Sequence, residues 1–223
     1  MSIIETVVRQ FAPFTCLGCG AEEDLLVCMA CLHRLTPVAS RCYKCHQATE
    51  ASMLCPGCRE TSSLHSVVVH VEYRDVIRQV VHRMKYERAK NATNEIAHML
   101  SQRAKNFPPD AIFVPIPTAT SRVRGRGYDH AALLAKRTAA LTHHRYMVLL
   151  RRLGQAHQMG SSRSTRLAQL KDAFRPVRRE AIDGRHIVLV DDVLTTGATL
   201  ENAARTLKRQ GAARVDAIVL ARA

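Results

Sequence analysis

The sequence predicts an α/β fold, a parallel sheet with helices on both faces, with a small cysteine-rich module in front of it. Three observations carry this reading. From about residue 66 onward, segments rich in branched aliphatic residues alternate with segments of helical periodicity. Those strand-like segments are unbroken apolar runs, the pattern of strands buried on both faces. All eight cysteines fall before residue 59, in four CxxC pairs. A chain of 223 residues has room for one well-buried domain plus such an appendage, and the boundaries read as 1–62 for the module and 63–223 for the domain.

The module comes first. Its pairs are "CLGC" (Cys16, Cys19), "CMAC" (Cys28, Cys31), "CYKC" (Cys42, Cys45) and "CPGC" (Cys55, Cys58). Two thiolates separated by two residues converge on one metal from a tight turn, and two such turns complete a tetrahedral site of four sulfurs. Eight sulfurs therefore imply two structural zinc ions. A disulfide framework is the rival. It fits poorly with the opening "MSIIETVVRQFAPFT", which carries Glu5 and Arg9 and lacks the apolar core of a secretory signal. Eight residues separate Cys19 from Cys28 and nine separate Cys45 from Cys55, which favours sequential sites, 16/19/28/31 and 42/45/55/58. An interleaved cross-brace stays open. His33 and His46 could substitute as ligands, but four sulfurs per site leave them unneeded. Large apolar residues are few, so metal must stand in for a core, and a chelator is expected to unfold this segment alone.

The domain follows. "SVVVHVEY" (66–73) is rich in β-branched residues and reads as a strand. Residues 74–86 place Val76, Val80 and Met84, with Ile77 and Val81, at helical spacing. Asn91 or Thr93 caps a second helix ending near residue 104. "AIFVPI" (111–116) is a buried strand stopped by Pro117, and "GYDHAALLAKRTAAL" (127–141) a helix with a Leu and Ala face. "RYMVLL" (145–150) is a short strand, and "GQAHQMGSSRST" (154–165) a polar loop before a helix over 165–173. Strand 187–190, helix 199–210 closed by Gly211, and strand 214–221 complete the alternation.

Composition and charge narrow the function classes. The chain is 47% hydrophobic and 23% charged, with no apolar run near the roughly 20 residues of a membrane span, so it reads as globular and cytoplasmic, without membrane insertion. The net charge is +14, but residues 1–65 hold five Lys/Arg against six acids, leaving 28 against 13 in the remainder. Residues 122–179 alone contain fourteen Lys/Arg and two acids, Asp129 and Asp172. Such asymmetry suits a polyanionic partner, a phosphate-rich metabolite or a nucleic acid, although a solvated basic surface has the same composition.

"IVLVDDVLTTGAT" (187–199) concentrates the chemistry. Ligands of open α/β sheets bind beyond the carboxyl ends of the strands, where Asp191 and Asp192 stand. The loop Leu194, Thr195, Thr196, Gly197, Ala198, Thr199 opens a helix, so its N–H groups and hydroxyls can converge on an anion. Gly197 forms the turn and admits close approach, and Thr199 doubles as a helix cap. Carboxylates touching a phosphate would repel it, unless a neutral polar group separates them. A ribose does: its 5′-phosphate sits in the loop while its 2′- and 3′-hydroxyls donate to Asp191 and Asp192. A pyrophosphate on C1 then needs Mg²⁺ and basic side chains. The ligand that fits is 5-phosphoribosyl 1-diphosphate. An acidic strand end that binds only a metal is the competing reading, and the Thr/Gly loop argues against it.

These 13 residues resemble the fingerprint of type I phosphoribosyltransferases. With the four CxxC pairs, Lys85-Tyr86, "VPIP…RVRGRGYDHAALLA" and the terminal "GAARVDAIVLARA", nearly the whole chain resembles the ComF family of competence proteins. The resemblance implies a double zinc ribbon ahead of a phosphoribosyltransferase-like domain, and a role in handling single-stranded DNA during natural transformation. Two segments depart from the family pattern: "RGYDH" puts Asp129 and His130 where an amide pair is usual, and Gln169 replaces an Asn. Asp129 thereby adds negative charge near the expected diphosphate.

Arg122, Arg124 and Arg126 follow the strand ending at Ile116, on the same sheet edge as Asp191, and are candidate contacts for a diphosphate or a DNA backbone. Lys85 joins them, though a solvated helix end would read the same. Gln158, Arg163 and Arg166 lie on or beside the polar loop, where a transferase places a water-excluding lid. Aromatics are few, with no Trp, five Phe and five Tyr; Tyr43, Tyr86 and Tyr128 are candidate stackers, and backbone binding is favoured over base readout. The expected function is a phosphoribosyl diphosphate-binding competence factor that handles single-stranded DNA, with a helicase or other uptake protein as further partner. The alternative is an active phosphoribosyltransferase with an amine or nucleobase acceptor. No constellation reveals a catalytic residue or an acceptor pocket.

Overall fold

The computed structural model of the chain describes residues 14–86, 91–153 and 173–223. The cysteine module contains the two-residue hairpin β1 (Phe14–Thr15) and β2 (Glu22–Glu23), then the short helices α1 (Met29–His33) and α2 (Pro56–Arg59). Next come β3 (Val67–Glu72), α3 (Asp75–Tyr86), α4 (Ala92–Ala104), β4 (Ile112–Pro115), α5 (Thr120–Arg126) and α6 (His130–Leu141). The chain closes with β5 (Arg145–Tyr146), β6 (Leu150–Arg152), β7 (Phe174–Pro176), β8 (His186–Leu194), α7 (Ala198–Lys208) and β9 (Arg214–Arg222).

Five strands form one parallel sheet in the order β3-β9-β8-β4-β5. Its strands read as apolar runs because both faces are covered. Side chains alternate along a strand: Val188 and Val190 of β8 join α3, α4 and α6 on one face, whereas Ile187 and Leu189 join α7 on the other. The parallel sheet and its two helical layers are as the sequence predicts.

Topology puts the site in place. From β4 the chain crosses to β5 in one direction, and from β8 through α7 to β9 in the other. β4 and β8 are thus the neighbours at which the winding reverses, and a crevice opens there beyond the strand ends. Pairing between them stops at Pro115 opposite Val190, while β8 runs on to Leu194 beside β9. The strand is longer than the expected 187–190, so Asp191 and Asp192 sit on rigid backbone rather than in a loop.

Other departures have local causes. Residues 120–126, with no apolar stripe, form a short helix without a buried residue. In the stretch 145–150, β5 pairs with β4, but Leu149 and Leu150 turn into the core of the α7 face, and β6 pairs antiparallel with β7 outside the main sheet. Gly197, at φ +75°, is the N-cap of α7, and Thr199 lies inside the helix rather than capping it. The expected loop 154–165 and most of the helix expected over 165–173 lie outside the described residues.

The cysteine module is not a detached appendage. Cys16, Cys28 and Cys31 belong to the core under α3, whereas Cys42 and Cys55 belong to the core under α7. Between the quartets the chain meets the outer edge of β3 through the bridge Pro37↔Val71 and a 2.9 Å bond from Glu72 N–H to the Thr36 carbonyl, and Met53, inside the second quartet, bridges Ser66 just before the strand. It thereby covers an edge strand that would otherwise present unpaired backbone.

Candidate functional site

At the carboxyl end of the sheet lies a cleft of about 720 Å³, walled by the ends of α3, β4 and β8, the start of α7, and α5. Lys85, Arg122, Arg126, Asp191, Asp192, Thr195 and Thr199 all line it. Arg124 does not. Residues 122 and 126 are one turn apart and share a face of α5, and 124 points elsewhere. Thr196 and Ala198 are exposed on the loop, Gly197 is buried, and Leu194 is 2% exposed with its side chain in the α7-side core. Arg163, with Gln158 and Arg166, lies outside the described residues.

The two aspartates play different parts. Asp192 is buried, with Lys85 Nζ 2.8 Å from each of its carboxylate oxygens and His130 Nε2 2.9 Å from Oδ2. Burial pushes this carboxyl up, but the His130 hydrogen bond and the Lys85 charge outweigh it and hold it at about 2. Arg126 Nη1 stands 2.9 Å from the other His130 nitrogen, Nδ1. An arginine can only donate, so Nδ1 accepts and the proton facing Asp192 sits on Nε2. Asp191 is half-buried, and its Oδ1 accepts the Asp192 N–H at 2.9 Å. Burial, reinforced by the Asp192 charge, pushes its carboxyl up to about 7. Ion pairing thus favours the anion at Asp192, whereas burial beside that charge disfavours it at Asp191.

His130 is thus the cleft residue that motif reading undervalued, since it entered only as a departure from an amide. Asp129 is not a stray charge beside the cleft. Its Oδ1 accepts from the Ala131 and Ala132 N–H groups and from Thr118 Oγ1, so it caps α6. Tyr73 and Arg152 also line the cleft, and nothing in their sequence surroundings marked them. Of the candidate stackers, only Tyr86 is exposed, at 66%, with the Arg126 guanidinium 5.3 Å from its ring centre and the His82 ring at 4.9 Å. Tyr43 is buried, and the half-buried Tyr128 donates its hydroxyl to the Met84 carbonyl.

The cysteines group sequentially, 16/19/28/31 and 42/45/55/58, each set with its sulfurs within 4.8 Å of one another. The cross-brace is excluded. Cys16 and Cys31 sulfurs are 3.8 Å apart, Cys19 and Cys28 3.8 Å, Cys45 and Cys55 3.5 Å. A disulfide needs about 2.05 Å, whereas four sulfurs about 2.3 Å from a central ion stand roughly 3.8 Å apart. Both quartets therefore fit a tetrahedral metal ion. Backbone N–H groups of Gly18 and Cys28 point at Cys16 Sγ from 3.4 and 3.3 Å. Burial would push this thiol up, but such donors bring it down to about 6, and Cys42 is brought to about 6 in the same way. His33 and His46 are exposed and outside the quartets.

Comparison with known proteins agrees with this geometry. The phosphoribosyl transferase domain family matches residues 131–223. Competence protein ComFC of Bacillus subtilis (strain 168) is 29% identical over 93% of this chain and 94% of its own length. DNA utilization protein YhgH of Salmonella typhi is 30% identical over 88% of this chain and 90% of its own. Competence protein F of Haemophilus influenzae is 25% identical over 97% and 100%. Paired cysteine quartets ahead of a phosphoribosyltransferase-type sheet, matched along nearly its full length by these relatives, make this chain a member of the ComF family.

Proposed function

We propose that the chain is a competence factor that binds 5-phosphoribosyl 1-diphosphate in the cleft and handles single-stranded DNA during natural transformation. The observation that carries the reading is a convergence. An acid at the ribose position (Asp191), an anion-binding loop opening α7, and basic groups opposite (Arg122, Arg126) line one cleft at the reversal point of a parallel sheet. Loop N–H groups with the Thr195 and Thr199 hydroxyls take the 5′-phosphate. Asp191 accepts from the ribose hydroxyls, and Asp192, already engaged, keeps Lys85 at the cleft wall. Mg²⁺ with the diphosphate would screen charge at C1, and Arg122 and Arg126 face that end. Zinc is the ion we assign to both quartets, because four thiolates in tetrahedral spacing suit it. We divide the chain at 1–62 and 63–223 and place it in the cytoplasm; among the described residues no helix is long and apolar enough to cross a membrane.

For DNA, a second groove of about 720 Å³ adjoins the cleft through Tyr73 and Tyr86 and is lined by Arg78, Arg83 and other residues of α3. An exposed Tyr86 beside these cations offers stacking next to backbone contacts, the combination that sequence-tolerant single-strand binding uses. A helicase or another uptake protein would be the natural further partner.

Titration calorimetry with phosphoribosyl diphosphate and Mg²⁺ tests the site. Binding is expected, and Asp191→Asn should weaken it at least tenfold; unchanged binding by the variant would put the ligand elsewhere. Titration of single-stranded DNA at several salt concentrations should give a log–log slope of about −0.7 per neutralised phosphate. Diphosphate release that depends on an added amine or base would instead make the protein a transferase.

A further inference from the structure

Tyr43 stands inside the second quartet, between Cys42 and Cys45, and is 6% exposed. Its ring faces the loop that opens α7: a Cβ built on Gly197 would lie 2.5 Å from Tyr43 Cε2 and 2.8 Å from Cδ2. Its hydroxyl donates to Glu201 Oε2 at 2.6 Å, one turn into α7. Glu201 also accepts from Ser62 Oγ at 2.8 Å and from the Ser63 N–H at 2.6 Å. The Tyr43 carbonyl accepts from Arg222 Nη2 at 3.3 Å, and the next residue, Ala223, donates its N–H to the Leu194 carbonyl at 2.9 Å and lines the cleft. Ring, hydroxyl and carbonyl of one residue therefore fasten the loop from behind, while its other side faces the cleft.

This arrangement has an energetic consequence. A loop through a glycine at φ +75° is intrinsically adaptable, and ordering its N–H groups around an anion costs conformational entropy, about 1–2 kcal/mol per residue. A ring already packed against Gly197 removes part of that cost before the ligand arrives, which is preorganisation. The ring in turn is held by its neighbours: Cys42 and Cys45, when they hold a metal, would fix the backbone on both sides of Tyr43. The first quartet has no such role. Its positional counterpart, Leu17, is buried in the core under α3.

We propose that Tyr43 is a positioning residue for the phosphate-binding loop, through which the metal of the second quartet, and not that of the first, sets affinity for a sugar phosphate. The proposal rests on the reading of residues 194–199 as the phosphate loop. By linkage, a ligand seated in that loop must also tighten the second metal and leave the first unaffected.

The test uses the full, zinc-loaded chain with Tyr43→Ala, Tyr43→Phe and, as matched control, Leu17→Ala. Ribose 5-phosphate affinity should fall at least tenfold in Tyr43→Ala and two- to fivefold in Tyr43→Phe, and stay within twofold in Leu17→Ala. Without ligand, amide hydrogen exchange over residues 197–200 should quicken in both Tyr43 variants and not in the control. During chelation, ribose 5-phosphate should slow alkylation of Cys42, Cys45, Cys55 and Cys58, but not of the first quartet; a merely structural tyrosine would give no such selectivity. Should Tyr43→Ala fail to fold, Tyr43→Phe and the alkylation pattern decide. Unchanged exchange in Tyr43→Phe together with equal protection of both quartets overturns the proposal. A wild-type chain that ignores ribose 5-phosphate refutes the loop reading instead, and the ligand-free exchange then still supports or overturns the tyrosine coupling.

Discussion

The two cysteine quartets differ in ligand spacing by one residue, eight against nine in the spacer, yet they brace opposite walls of the cleft. The first is fastened to α3: Arg83 Nη1 donates to the Cys16 carbonyl at 3.0 Å, and a Cβ on Gly18 would meet Val76 Cγ1 at 2.8 Å. The last turn of that helix carries Lys85 and Tyr86. The second is fastened through Tyr43 to the loop and to Glu201 of α7. The contrast teaches that the ligands decide whether a metal binds, while the residues between them decide what the metal does. "CLGC" buries a leucine in a hydrophobic face; "CYKC" sends a tyrosine to the loop that opens α7.

Chelation should produce the largest effect. Cysteines of both quartets lie inside the two cores, so metal loss weakens the whole fold rather than one segment, contrary to what composition alone suggests. Structural zinc contributes roughly 10–16 kcal/mol in isolated finger peptides. Even a third of that, in a domain of this size, lowers Tm by about 10 °C or more. Calorimetry should show one transition moving down; two transitions, the later one unmoved, would restore a detachable module and end the comparison.

The walls themselves come next. Lys85→Met leaves the buried Asp192 carboxylate with His130 alone, and breaking a buried ion pair in this way costs about 3–5 kcal/mol. Thr195→Ala in the opposite wall removes an exposed hydroxyl and should stay within about 0.5 kcal/mol of wild type in urea unfolding. It should nevertheless weaken ribose 5-phosphate binding. Equal stability losses in the two variants would mean that the walls are not built differently.

Two glycines offer a smaller and sharper contrast. An added Cβ at Gly18 would meet Cys31 Sγ at 2.7 Å, and at Gly197 it would meet the Tyr43 ring at 2.5 Å. Overpacking of this kind costs about 1–3 kcal/mol, and the positive φ at Gly197 adds about 1–2 kcal/mol. Gly18→Ala should loosen the first metal in a chelator-competition assay and leave ribose 5-phosphate affinity within twofold. Gly197→Ala should do the reverse.

The reasons that some of this is legible in the sequence and some is not are physical. Period and spacing are local properties, so the parallel strands, the helices α3, α4, α6 and α7, and the sulfur ligands follow from the residues themselves. Asp191 and the Thr/Gly loop are legible because one strand and one helix carry them consecutively. The Lys85–Asp192–His130 contact joins residues 107 positions apart at its widest, and no local pattern encodes it. Tyr43 and Glu201 are 158 apart. Tyr43 is a candidate stacker by residue type alone, since aromatic rings supply stacking in single-strand binding; here its polar tip finds a carboxylate and the ring becomes core.

The smallest effect separates the two aspartates. With Asp191 raised to about 7 and Asp192 lowered to about 2, only Asp191 changes charge between pH 6 and pH 8. Ribose hydroxyls donate, so they prefer the ionised carboxylate, and at pH 6 a bound sugar must first expel the Asp191 proton. Affinity for ribose 5-phosphate should therefore rise with pH through about 7, and the ionised fraction alone gives about tenfold between pH 6 and pH 8, or about 1.4 kcal/mol. The phosphate group titrates nearby, so the quantity to follow is the ratio of wild-type to Asp191→Asn affinity, in which the ligand's own ionisation cancels. A ratio that climbs toward pH 8 assigns the sugar hydroxyls to Asp191 and leaves Asp192 as the anchor of the α3 wall. A flat ratio would move the titrating contact to the other acid's network, where His130 and Lys85 are the groups to substitute next.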